Sequence, residues 1–182
     1  MLSEAQIQAA RERARAHLAE AGIVLTPAEA AGIEVADFGL GELDGTGLEL
    51  VTYVNTARVC AKELVLFPGQ TCPEHRHPPV AGEPGKEETF RCRRGTVYLY
   101  VPGDGSPTAA HCRPPAGRES TYSVWHEIVL RPSEQHTIAP DTLHWFQAGP
   151  EGAVVSEFST RSRDESDVFT DPEIRRVPVA GG

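Results

Sequence analysis

Residues 69–77 read GQTCPEHRH, and a second dense stretch, GKEETFRCRRG, covers 85–95. Runs rich in strand-forming residues precede them, Leu48 to Val54 and Val59 to Phe67, with a turn at Asn55-Thr56-Ala57 between. The segment carrying His75 and His77 therefore reads as extended chain. Residues two apart on an extended chain share a face, so these two imidazoles point the same way and form a metal-ligand pair. Glu88 can return on a neighbouring strand with an oxygen ligand, and a later run, APDTLHWF at 139–146, offers His144. Three imidazoles and one carboxylate suit a first-row divalent metal with positions left open for a substrate.

Outward from this stretch, further strand candidates stand at 87–93, 96–101, 120–130, 134–138, 143–148 and 152–160, with Gly and Pro in nearly every gap. Such a series predicts an all-β sandwich or barrel. Ahead of it, residues 3–21 read as a helix, with Ser3 and Gln6 in capping-box spacing and Ile7, Ala10, Ala14, Leu18 and Ala21 repeating every three or four residues. A second cap follows in Thr26-Pro27-Ala28-Glu29. The expected organisation is a helical arm at 1–46 packed on the barrel, a β-barrel at 47–160, and a polar tail at 161–182 that wraps the surface or lies disordered.

The length of 182 residues fits one domain with its own core. Seventeen Lys plus Arg against 26 Asp plus Glu leave a formal charge of −9, which argues against nucleic-acid or anionic-membrane partners. Apolar residues are dispersed, and no run is long enough to cross a bilayer. The first segment lacks the apolar block of a secretory signal, so a cytoplasmic location is expected. Cys60, Cys72, Cys92 and Cys112 are widely spaced without a C-x-x-C pair, which predicts reduced, packed thiols.

Gly69, His75, His77, Glu88 and Gly95 resemble the first conserved motif of the cupin superfamily, G-x5-H-x-H, a spacer, then E-x6-G. The spacer here is ten residues long and contains Pro78, Pro79, Gly82, Pro84 and Gly85, so it reads as an inserted loop. The second motif, P-x-G-x-x-H, has Ala139 and Asp141 at its first two marked positions and keeps His144. This resemblance implies a double-stranded β-helix, the jelly-roll barrel, and selects Glu88 over Glu87 because six residues separate Glu88 from Gly95.

A closer resemblance rests on KELVLFPGQTCPEHRHP at 62–78, GKEETFRCR at 85–93 and HWFQAG at 144–149, which look like the bacterial D-lyxose isomerase family of cupin sugar isomerases. It runs over roughly residues 22 to 175. It implies a metal site on His75, His77, Glu88 and His144, a manganese ion (Mn2+), and a catalytic lysine on Lys62. The implied activity is interconversion of D-lyxose with D-xylulose, and of D-mannose with D-fructose, through an enediolate. The implied partners are a monosaccharide and a second copy of the chain in a homodimer.

Two residues invite a catalytic reading on their own chemistry. Lys62 is one of only two lysines against fifteen arginines and sits in a largely apolar strand, where an ammonium needs a partner or a wet cavity. It reads either as a rim salt bridge or as a cavity base whose pKa is lowered toward the working pH. Glu157, a lone carboxylate on the last strand, either faces the cavity or is exposed. Lys62 or Glu157 would move the proton. Cys72, at odd spacing from His75, is expected to point away from the pair. His126 reads as a hydrogen-bonded structural residue, His17 and His111 as solvated, and His136 as a strand residue without an assigned role. A cupin dioxygenase uses a similar ligand set, and a sugar-binding cupin without turnover has no use for Lys62; both stand as alternative functions.

Overall fold

The computed structural model describes residues 2–176. It opens with helix α1 (Glu4–Glu20), where the Ser3 hydroxyl accepts from the Gln6 backbone N–H and the Gln6 side chain accepts from the Ser3 N–H. That reciprocal pair satisfies donors left over at a helix start. Helix α2 (Pro27–Ala31) begins the same way with Thr26 and Glu29. The buried side of α1 is Ala10, Ala14 and Leu18, and its small residues let the helix lie close on Val51, Val65, Phe67 and Val154 of the barrel's outer surface. Burying Leu18 alone contributes roughly 1.5–3 kcal/mol.

Among the described residues nine strands follow: β1 (Glu34–Ala36), β2 (Leu48–Asn55), β3 (Cys60–Leu66), β4 (Thr71–Arg76), β5 (Glu88–Val101), β6 (His126–Leu130), β7 (Gln135–Ile138), β8 (His144–Ser159) and β9 (Val168–Phe169). They pair antiparallel in the order β1-β2-β3-β8-β4-β9, with β5 lying along β8 and carrying β6 and β7 on its other edge. Strand β8 pairs with β4 near His144 and with β3 from Ala153 to Ser159. Strand β5 pairs with β7 at its start and with β6 at its end. Two long strands thus serve both halves of one curled sheet, in an all-β cupin-type barrel.

The sequence divides each long strand in two, at 93–96 and at 148–152, whereas the chain runs on through bends. Register shifts fall between Cys92 and Arg94 and between Gly95 and Val97. Gly95 has φ 72, and a Cβ there would sit 1.9 Å from the Gly152 carbonyl oxygen, so only glycine lets the two backbones meet at this bend. The expected strand at 120–130 forms only in its second half, because the Glu74 carboxylate captures the N–H groups of Ser123 and Val124. Strand β1 is too short to show a period and lies inside the stretch expected to be a helical arm.

Up to residue 176 the expected polar tail lies against the barrel. Strand β9 pairs with β4, the Thr170 N–H donates to the Glu74 carbonyl, and Asp171 is held by Arg118 at 2.7 Å. Residues 177–182 of that tail lie outside the described residues. All four cysteines are free and buried.

Register explains what the barrel mouth contains. On β3, β8 and β5 the inward positions form rows, Leu66 with Ala153 and Leu64 with Val155, then Lys62 with Glu157 and Phe90. The lower rows are core. One row further out, the same inward face carries charge.

Candidate metal centre

His75 and His144 face each other across the β4–β8 pairing, and His77 follows just beyond the end of β4. One nitrogen from each of the three rings lies within 4.8 Å of the others, and all three residues are buried. Each ring has an acceptor at Nδ1: the Pro73 carbonyl at 2.7 Å from His75, the Thr142 carbonyl at 2.9 Å from His144, and Asp167 Oδ1 at 2.5 Å from His77. Acceptors there keep the proton on Nδ1 and leave Nε2 as the free donor atom.

Glu88 Oε1 lies 3.2 Å from His77 Nε2 and 3.0 Å from His144 Nε2. Yet among the described residues none of these three buried atoms has a hydrogen-bond partner. Lone pairs that face one another at 3 Å in a buried site need positive charge between them. A divalent cation fits this donor set, two or three imidazoles and a carboxylate oxygen, with room for further oxygen ligands. The electrostatics agree. Burial and the neighbouring imidazoles hold His75 well below the ordinary histidine range. Burial also pulls His77 down, but the Glu88 charge and the Asp167 hydrogen bond outweigh it and push its pKa up to about 9. The field that favours a proton on His77 is the field a cation would meet.

Beside the histidines stand two lysine–carboxylate pairs. Lys86 Nζ bridges Glu88 Oε2 at 2.7 Å and Glu157 Oε1 at 3.1 Å, and all three side chains are buried. Lys62 Nζ donates to Asp164 at 2.8 Å and to Ser162 Oγ at 3.0 Å. Burial lowers the Lys62 pKa, but Glu157 and Asp164 reverse the effect, so it rises. That direction is opposite to the lowering a cavity base would need and agrees with the salt-bridge reading of Lys62. Lys86 is raised well above the ordinary lysine range for the same reason, with Glu157 and Glu88 overcoming its burial. Glu88 in turn is held well below the carboxylate range, since Lys86 and His77 outweigh desolvation. Phe38, Leu48, Leu50, Phe90, Phe146 and Phe169 complete the pocket wall.

The structure thus gathers His75, His77, Glu88, His144, Lys62 and Glu157 at one barrel mouth, with Glu87 exposed on the opposite side. Cys72 corrects its expectation. A bulge between Cys72 and His75 resets the alternation, so the thiol faces the same interior and lines the pocket. It stays outside the converging imidazole group, and burial raises its pKa well above the ordinary thiol value. His17 is also corrected: it is half-buried, takes a hydrogen bond from Arg94 and stands against Phe67. His111 is exposed and paired with Glu127, His126 contacts the Asp104 carbonyl through Nδ1, and His136 lies on β7.

Lys86, Asp164 and Asp167 escaped the sequence reading. For Lys86 a signal existed: it is the other of the two lysines and stands two residues before Glu88, the spacing that shares a face on extended chain. A Cβ on Gly85 would sit 1.9 Å from the His77 carbonyl oxygen, so this glycine lets the loop press onto β4 and deliver Lys86 inward. For the two aspartates, 90 and 102 residues from the side chains they bind, no local signal exists.

A curled antiparallel sheet with converging imidazoles and a carboxylate at its mouth defines a cupin. The chain belongs to the D-lyxose isomerase family, whose model matches residues 20–180. It is similar to a D-lyxose/D-mannose isomerase of Thermosediminibacter oceani, 64% identical over 178 residues and 98% of each chain. It is likewise similar to a D-lyxose ketol-isomerase of Cohnella laeviribosi, 62% identical over 170 residues and 93% of each. Membership makes the chain a sugar isomerase. Among solved structures, an Acinetobacter L-ribose isomerase in complex with L-ribose aligns with TM-score 0.80 at 17% identity, covering 95% of this chain and 94% of that one. A Cellulomonas parahominis L-ribose isomerase aligns with TM-score 0.78 at 17% identity, covering 98% of both. At that identity the likeness shows the fold.

Proposed function

We propose that the chain interconverts D-lyxose with D-xylulose, and D-mannose with D-fructose, using a divalent cation, manganese by preference, held by His75, His77, Glu88 and His144. The observation that carries this reading is the buried meeting of unpartnered Nε2 and carboxylate lone pairs beside the Lys86–Glu157 pair. When bound, the cation supplies Lewis acidity at adjacent sugar oxygens and offsets developing negative charge.

The chain's own groups move the proton. Glu157 takes the hydrogen at C2 as a proton; the C–H electron pair becomes the C1–C2 double bond, and the C1 carbonyl oxygen takes up the negative charge of an enediolate. Glu157 then returns the proton to C1, while the proton of the C2 hydroxyl passes to O1, leaving a ketone at C2. Lys86 and the Ser159 hydroxyl, both on Glu157 Oε1, orient this carboxylate. Lys62, held charged by Asp164, serves as a donor to a sugar oxygen rather than as the base. The aromatic wall keeps bulk water from the enediolate.

The test is anaerobic conversion of D-lyxose in deuterated water by protein stripped with chelator and then titrated with Mn2+. Ketose forms only after metal returns and carries solvent label at C1. Full activity at negligible metal content would overturn the metal reading. Absence of label would sink the proton-transfer route, and oxygen uptake without ketose would point to a dioxygenase. Light scattering on the same sample checks the homodimer.

A further inference from the structure

The three imidazoles converge, but they are aimed by two different means. His75 and His144 each donate to a backbone carbonyl two residues earlier, so their own strands set their ring angles. His77 lies past the end of β4 and has no such acceptor. Its Nδ1 meets Asp167 Oδ1 at 2.5 Å, and both side chains are 8% exposed. This is the one hydrogen bond of the Asp167 side chain among the described residues.

Asp167 is itself fixed on both sides. Before it, Asp164 is tied to Lys62. After it, β9 pairs Val168 with Arg76 and Phe169 with His75, and the Phe169 ring stands 5.4 Å from the His75 ring. The segment 164–169, which follows β8 and ends in edge strand β9, is thus docked by register onto the H-x-H pair and presents one buried carboxylate to one ring nitrogen.

We infer that Asp167 is a positioning residue of the metal centre, whose carboxylate fixes His77 in the Nδ1–H tautomer and aims its Nε2 at the cation. The inference rests on the metal reading above. A carboxylate behind a ligating imidazole orients the ring and strengthens it as a donor, and loss of such a partner weakens metal affinity about 10- to 100-fold. Because the carboxylate comes from 164–169, cation binding and docking of that segment stabilise each other reciprocally.

The experiment measures Mn2+ and Co2+ binding by calorimetry on the chelator-stripped full chain, for wild type, Asp167→Ala, Asp167→Asn and Asp171→Asn. Asp171, two residues beyond that segment, anchors the chain through Arg118 but touches no histidine, so it controls for general loosening. Asp167→Ala weakens both metals about 10- to 100-fold, and Asp167→Asn, which keeps an acceptor without the charge, weakens them less. Asp171→Asn stays within about twofold, and the Co2+ visible spectrum changes only in the Asp167 variants. If Asp167→Ala fails to melt cooperatively, Asp167→Asn decides. Binding within twofold of wild type in the Asp167 variants, or equal weakening in Asp171→Asn, overturns the inference. Wild type that binds neither metal overturns the metal reading itself.

Discussion

Replacing Lys86 with methionine keeps the side-chain volume and removes a buried charge that faces two carboxylates. At 2.7 Å from Glu88 and 3.1 Å from Glu157, each contact is worth about 5–6 kcal/mol gross at an effective dielectric of 20. Desolvation of the ammonium offsets several kcal/mol of that. Breaking a buried ion pair by removing one partner costs about 3–5 kcal/mol net, because the remaining charges are left uncompensated. For a chain of this size that lowers Tm by roughly 6–20 °C. The functional consequence follows from the same charges. Without Lys86, Glu157 loses a donor that orients its carboxylate toward C2, so kcat falls at least about 100-fold. Lys86→Arg, which keeps the charge, recovers part of the stability. Thermal unfolding and ketose formation at saturating D-lyxose and Mn2+ measure both effects. If Lys86→Met melts with wild type and turns over within threefold of it, the bridging role assigned to Lys86 is wrong.

Glu157→Gln removes the base but keeps the shape, so kcat drops about 10²- to 10⁴-fold while KM and bound metal stay near wild type; unchanged kcat would move the base elsewhere. Glu49 is fully buried, and desolvation pushes its pKa up to about 8 against 4.5 when unfolded. A raised folded pKa means that stability is present below about pH 4.5 and is lost as pH rises through 8, by at most about 5 kcal/mol. Glu49→Gln flattens that decline, which urea midpoints at pH 5 and pH 8.5 register; parallel profiles for the two proteins would contradict it. Gly95→Ala forces a Cβ onto the Gly152 carbonyl at a positive φ and costs more than about 2 kcal/mol, and an unchanged denaturant midpoint would show that the bend can yield.

Much of this protein is written locally in the sequence. Strand pattern and turn residues specify an all-β sandwich or barrel, capping boxes place both helices, and period-two spacing puts His75 and His77 together and Glu88 apart from Glu87. Gly95 is legible as a motif residue, and the structure supplies its reason in the 1.9 Å approach to Gly152. These features depend on interactions within a few residues, where backbone geometry alone decides which way a side chain points.

What the tertiary structure alone decides is the state of each group. Lys62 reads either as a salt bridge or as a base, and only the fold brings it Asp164, 102 residues on, as a partner. The Cys72 thiol reads as turned away until a bulge faces it inward. Lys86 meets Glu157 across 71 residues, and His77 owes its tautomer to Asp167 across 90, on a segment whose composition reads as mere tail. Spacing can nominate a ligand or a base, but protonation and orientation follow from the field and hydrogen bonds of partners that only chain closure brings within 3 Å.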